Sequence, residues 1–188
     1  MDYTKISVAE AVREIERVTA AVRQEFGSLT PAQLNWKPAA DRWSVGECLE
    51  HLLAANGHYF GIVESILAGR YRKPFLANIP GYAGMCGRML VNAVSPQAAR
   101  KVKTVAIFEP ARSKVDADEV ARFAEHQKKL VASIRSSERL NLEKTIIASP
   151  ATSAIVYSLL DAWRLLAAHE VRHLGQARNV TKTDGFGS

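Results

Sequence analysis

Apolar residues recur at helical spacing along almost the whole chain, and no stretch alternates convincingly with the period of a strand. Val8, Val12, Ile15, Thr19, Val22 and Phe26 form one stripe, with Ser7 placed to cap it. Gly27-Ser28-Leu29-Thr30-Pro31 ends that helix, and Thr30-Pro31 starts a short turn of helix through Leu34. A capping-box pattern, Ser44-Val45-Gly46-Glu47, opens a second long helix that runs to about Gly69. Pro74 and Pro80-Gly81 then break the chain before a short helix over 82–94. A loose segment follows, from Ser95 to Val115. A third long helix is expected to open at Asp116, with Val120, Phe123, Gln127, Leu130 and Ile134 on one face. Residues 141–150 read as a loop, and the last helix as starting near Thr152 or Ser153 and ending near Thr181. The fold class is therefore all-α: one four-helix bundle over residues 1–182, with a long crossover between its second and third main helices. Residues 183–188, with two glycines and a serine, are expected to form a mobile tail.

Composition narrows the class. The 188 residues are 47% hydrophobic and 23% charged, which excludes an intrinsically disordered or fibrous chain. Two cysteines, Cys48 and Cys86, cannot form the framework of a disulfide-rich secreted scaffold. The first ten residues carry Asp2 and Glu10 and lack the apolar centre of a signal peptide. The longest apolar stretch holds Asp161 and Arg164, so no membrane span is expected, and a reducing cytoplasm is the default location. Charge is unevenly placed. Between Arg70 and Val115 nine basic residues face one acid, Glu109, giving that segment +8 while the rest of the chain carries −2. Such a segment is either a solvated connection or a steering surface for an anionic small-molecule substrate. It shows no nucleic-acid motif, so no nucleic-acid partner is expected. Bundles whose crossover is partly apolar often pair, which makes a homodimer an open expectation.

The informative residues interrupt the apolar stripes. On the last helix the inward face reads Ala162, Leu166, His169, His173, Gln176 and Val180. One helical turn places His169 and His173 on the same side, a spacing that a metal ion bridges directly. On the second helix His51 shares a stripe with Glu47, Ala55, His58 and Ile62. A lone core histidine is most often structural. Two at this spacing on an apolar face need partners for four ring nitrogens, and a metal takes one from each. Three histidines with an open fourth position would make a catalytic site and not a closed structural one.

His169-Glu170-Val171-Arg172-His173 also fits H-E-x-x-H, the zinc metalloprotease pattern. Only 15 residues follow His173, too few for another helix to bring a third ligand. The longer form of the motif fails as well, with Gln176 and Asn179 where its glycine and histidine belong. Glu170 is accordingly expected to face solvent or an ion pair.

Trp43-Ser44-Val45-Gly46-Glu47-Cys48-Leu49-Glu50-His51-Leu52 resembles the second-helix signature of the DinB/YfiT-like metalloenzyme family. His169 to Gln176 resembles that family's last-helix motif, H-x-x-x-H-x-x-Q, and Leu29 to Leu34 with Trp36 fits its first connection. The resemblance spans Val8 to about Lys182. It implies a four-helix bundle in which His51, His169 and His173 hold a divalent metal. It further implies the chemistry of transferases or isomerases that use bacillithiol, mycothiol or glutathione. Imidazole ligands suit zinc or nickel. A coordinated thiol loses its proton at neutral pH, and the same site could instead generate hydroxide and hydrolyse an amide or ester. The expected function is thus a metal-dependent, thiol-using transferase. A hydrolase at the same site, or a non-catalytic stress-response module, stands as the alternative.

Further candidates each have a plainer reading. His58 lies two turns after His51, too far for the same metal but within reach of a substrate. Gln176 could orient a ligand imidazole, and Glu47 could accept from one, although its capping box already explains it. Cys48 is a fourth thiolate ligand, a nucleophile or, as such a cysteine most often is, a small buried apolar residue. Arg172 could bind a substrate carboxylate or a surface acid. His126 is expected to face solvent, and Tyr59, Tyr82 and Trp163 to pack, with Tyr82 placed where it could close over the site.

Overall fold

The computed structural model describes residues 1–98 and 104–187. Arg100, Lys101 and Lys103 of the basic crossover lie outside the described residues. Four long helices form the bundle: α1 (Val8–Phe26), α3 (Val45–Leu67), α5 (Glu119–Ser137) and α6 (Leu159–Thr181). A short α2 (Pro31–Asn35) joins the first pair, and α4 (Tyr82–Val94) sits in the crossover. α1 packs against α5 and α6, and so does α3, so α1 and α3 stand diagonally across the bundle. Reciprocal capping boxes fix three of the starts. Ser7 exchanges bonds with Glu10, Thr30 with Gln33 and Ser44 with Glu47, each satisfying backbone donors that a helix start leaves free.

The core has two apolar lobes. One gathers Ile15, Leu130, Ile134, Tyr157 and Trp163; the other gathers Phe26, Leu34, Leu49, Phe123 and Leu174. Buried polar residues fall between the lobes along three helices: Asn56 on α3, Gln127 on α5 and Glu170 on α6.

The chain departs from expectation at the start of the last helix. Residues 152–158 are not its first turns but a strand, β2 (Thr152–Ser158), antiparallel to β1 (Ile146–Ser149) with Ile147 opposite Tyr157. Ile155-Val156-Tyr157 is the kind of β-branched and aromatic run that favours a pleated surface. Ser158 then caps α6 by accepting from the Asp161 backbone N–H at 3.0 Å, which sets the helix start seven residues later than Thr152 or six later than Ser153. α5 likewise begins at Glu119 and not at Asp116, because Asp116 to Asp118 form a turn that closes on Glu119. The expected tail is docked as far as Phe186, whose ring meets Trp36 edge-on at 5.6 Å.

The crossover folds over the bundle. A 3-10 turn at Phe75–Asn78 leads into α4, which packs on α6 and β2. Gly87 permits that approach: a Cβ there would lie 2.3 Å from the Asp161 carboxylate. A second 3-10 turn, Ala106–Phe108, returns to α3. No helix among the described residues is long and apolar enough to cross a membrane.

Candidate metal centre

His51 lies two turns into α3, on the side facing α6, where the capping box has fixed the helix start. His169 and His173 meet it from α6, and one nitrogen from each of the three rings lies within 4.8 Å of the others. His51 Nε2 and His169 Nε2 are 3.0 Å apart. The rings pack at centroid distances of 4.5 to 4.9 Å, and the Trp43 indole covers them, stacking on His173 at 5.7 Å. His51 and His173 are buried and His169 is half-buried.

Burial sets their protonation. It lowers the pKa of His51, takes His169 down to about 3 and pushes His173 well below the usual imidazole range. The neighbouring rings and the Arg172 guanidinium push His169 and His173 in the same direction, while Gln176 opposes them at His173. Three neutral imidazoles with converging nitrogens fit a divalent ion of the zinc type, which takes nitrogen donors at about 2.0–2.1 Å. His51 Nδ1 donates to the Phe108 carbonyl at 2.5 Å. A carbonyl only accepts, so the proton sits on Nδ1 and the Nε2 lone pair faces the cluster. The Nδ1 atoms of His169 and His173 are buried without a partner among the described residues.

The three rings stand at the side of an open cleft of about 1900 Å³, walled by α3, α6, the end of α4 and the crossover. Trp43, Tyr59, Leu90, Ile155 and Leu166 supply apolar lining, and Arg42 and Arg172 supply positive charge.

The other sequence candidates separate. Gln176 lines the cleft one turn beyond His173. His58 turns to the crossover and donates from Nε2 to the Ile107 carbonyl at 3.1 Å. Glu47 lines the cleft but is held by its cap and by Lys37 at 2.9 Å. Cys48 is fully buried in the apolar lobe with its thiol pKa raised by burial, and it is not among the grouped ligands. Arg172 makes no ion pair with an acid among the described residues and donates to the Ser95 carbonyl at 3.0 Å. Tyr82 does not close over the cleft; its hydroxyl donates to the Ala154 carbonyl on β2. His126 does not face solvent: it is half-buried against Phe60, and burial takes its pKa down to about 4.

Glu170 is the largest correction. It is fully buried and faces the bundle core, not solvent. Asn56 and Gln127 each donate a side-chain N–H to its Oε1 at 2.7 Å, and burial raises its pKa to about 7. Consecutive helical residues point about 100° apart, so the rotation that aims His169 at the cleft turns Glu170 to the core. Gln127, already on the inward stripe of α5, was the signal that a polar partner would be needed there.

The sequence model of the DinB superfamily matches residues 14–177 of this chain. Among solved structures, the chain resembles YfiT from Bacillus subtilis, described as "a probable metal-dependent hydrolase with an unusual four-helix bundle topology". The match has a TM-score of 0.57 at 16% identity and covers 97% of this chain and 92% of that one, a likeness of fold. No curated protein matches the sequence.

Proposed function

Because the chain belongs to the DinB superfamily, we propose that His51, His169 and His173 bind one divalent metal ion, zinc or nickel. We infer that the protein is a metal-dependent transferase using a low-molecular-weight thiol. The observation that carries this reading is the convergence of three neutral imidazole nitrogens, on two buried rings and one half-buried ring, beside a large cleft, with no fourth protein ligand grouped with them among the described residues. A divalent ion held there supplies Lewis acidity and lowers the pKa of a thiol or water that binds to it. The chain's own groups position the reactants. Trp43 shields the histidines from one side, Arg42 and Arg172 offer positive charge to a carboxylate-bearing thiol or acceptor, and the apolar wall receives the remainder. Among the described residues no carboxylate is hydrogen-bonded to the three rings, and Glu170 is turned into the core. Thiol chemistry at a metal needs no such base.

The second reading is a metal-dependent hydrolase, favoured by the description of YfiT. One experiment separates them. Protein purified without a histidine tag is analysed for metal, then assayed with electrophiles and with esters or amides, each with and without bacillithiol, mycothiol or glutathione. About one equivalent of metal with thiol-dependent conjugation supports the transferase. Turnover without thiol supports the hydrolase. Protein that takes up no zinc or nickel overturns both.

A further inference from the structure

Among the described residues, one turn of the crossover is hydrogen-bonded to the three-histidine group. The 3-10 turn Ala106–Phe108 presents two successive carbonyls to α3: Ile107 O accepts from His58 Nε2 at 3.1 Å, and Phe108 O accepts from His51 Nδ1 at 2.5 Å. The Phe108 ring packs edge-on against His58 at 5.6 Å. Two histidines seven residues apart on one helix therefore clasp one turn of a distant segment. That turn and its neighbours, Thr104, Val105, Glu109 and Pro110, also form a wall of the cleft.

We propose that the Ala106–Phe108 turn is the outer support of the metal centre, so that metal binding and seating of this cleft wall are one coupled event, with His58 as the positioning residue. The proposal rests on the three-histidine metal reading. Among the described residues His51 Nδ1 is tied to a backbone carbonyl, whereas the Nδ1 atoms of His169 and His173 have no hydrogen-bond partner. Phe108 O thus selects the one tautomer of His51 that leaves Nε2 free for a metal. A metal on Nε2 draws electron density from the ring and strengthens the Nδ1–H as a donor. By linkage, the factor by which the seated turn tightens metal binding equals the factor by which metal tightens the seating. Losing an outer hydrogen bond of this kind typically weakens a metal site about 10- to 100-fold. His58 adds a second fastening on the same turn and touches no ligand, so it tests the coupling without altering the site.

The experiment measures amide hydrogen exchange with and without zinc, following the Phe108 and Glu109 amides that close the turn onto Val105 O and Ala106 O. Zinc affinity, by competition with a chromophoric chelator, and the visible spectrum of the cobalt-substituted protein are read alongside. In the parent, zinc slows exchange at these two amides, and in His51→Ala it does not. His58→Ala weakens zinc binding by less than the about 10- to 100-fold that follows loss of a direct outer contact, and it shifts the cobalt band. A parent that binds one equivalent of zinc with unchanged exchange in the turn overturns the proposal, and this arm needs no variant to fold. Parental zinc affinity and cobalt spectrum in His58→Ala overturn it equally. A parent that binds no zinc overturns the metal reading itself, a different result from either.

Discussion

His169 and Glu170 are neighbours in sequence and opposites in structure. His169 faces a cleft with two other rings, and its Nδ1 has no partner among the described residues. Glu170 faces the junction of the two apolar lobes, where Asn56 and Gln127 both donate to it. Both regions place polar groups where water is scarce, at a cost that only partners remove. In the core region the protein supplies its own partners, tying α3, α5 and α6 through one carboxylate. In the cleft region it brings three imidazole rings together, and among the described residues no carboxylate is hydrogen-bonded to them. The difference separates a polar group that specifies packing from one that awaits a ligand, and one α6 register sets both.

Removing a cleft histidine gives the largest expected effect. His51→Ala or His173→Ala should lose at least 100-fold in zinc affinity, beyond the range for an outer-sphere contact, with the helical circular dichroism retained; a competition titration reads this. Removing the core carboxylate should do the reverse. Glu170→Ala strands two buried amide donors, at about 1–3 kcal/mol each, so urea unfolding should show a loss of about 2–5 kcal/mol. Glu170→Gln, which still accepts, should stay much closer to the parent.

The same carboxylate has a pH signature. Its folded pKa is raised to about 7 from 4.5, so between those values the folded chain keeps a proton that the unfolded chain has lost. Its contribution to stability therefore falls as pH rises through that window, by at most about 3 kcal/mol. Glu170→Gln lacks this term. Its stability relative to the parent should climb between about pH 4.5 and 7 and then level off, which urea midpoints across that range would show. Zinc at 100 times its dissociation constant should stabilise the parent by about 2.7 kcal/mol, reversed by chelator and absent in His173→Ala. The smallest effect belongs to the Tyr59–Tyr157 hydroxyl pair, 2.7 Å apart and buried. Tyr157→Phe should cost about 1 kcal/mol in urea unfolding, with zinc affinity unchanged.

The four long helices and α4 were legible because their stripes keep one period, with capping boxes marking the starts of α1 and α3 and a glycine break that of α4. The bounds of α4 at Tyr82 and Val94 follow directly from Gly81, in the left-handed region with φ 75°, and from Ser95-Pro96. The hairpin was not legible, because 152–158 is too short for periodicity to decide between strand and helix. Ser158-x-x-Asp161, the true helix start, lay inside an apolar run that read as continuous helix. At the site, i, i+4 spacing brought out His169 and His173, while His51 became a candidate through its stripe and the family resemblance. Glu170, Asn56 and the Phe108 carbonyl stayed hidden for two reasons. A charged residue on a helix reads as solvated until its neighbours are known, and a backbone carbonyl has no sequence signal.

The diagonal placement of α1 and α3 bears on how the chain is made. A bundle whose consecutive long helices are neighbours can pair them as they leave the ribosome. Here the apolar stripes of α1 and α3 find their principal partners on α5 and α6, and α6 is translated last. Roughly 50 residues separate the end of α3 from the start of α5, the first of those partners, roughly 3 to 10 s of elongation. For that interval the nascent chain carries two unpaired amphipathic helices, a natural substrate for the chaperones that wait at the exit tunnel.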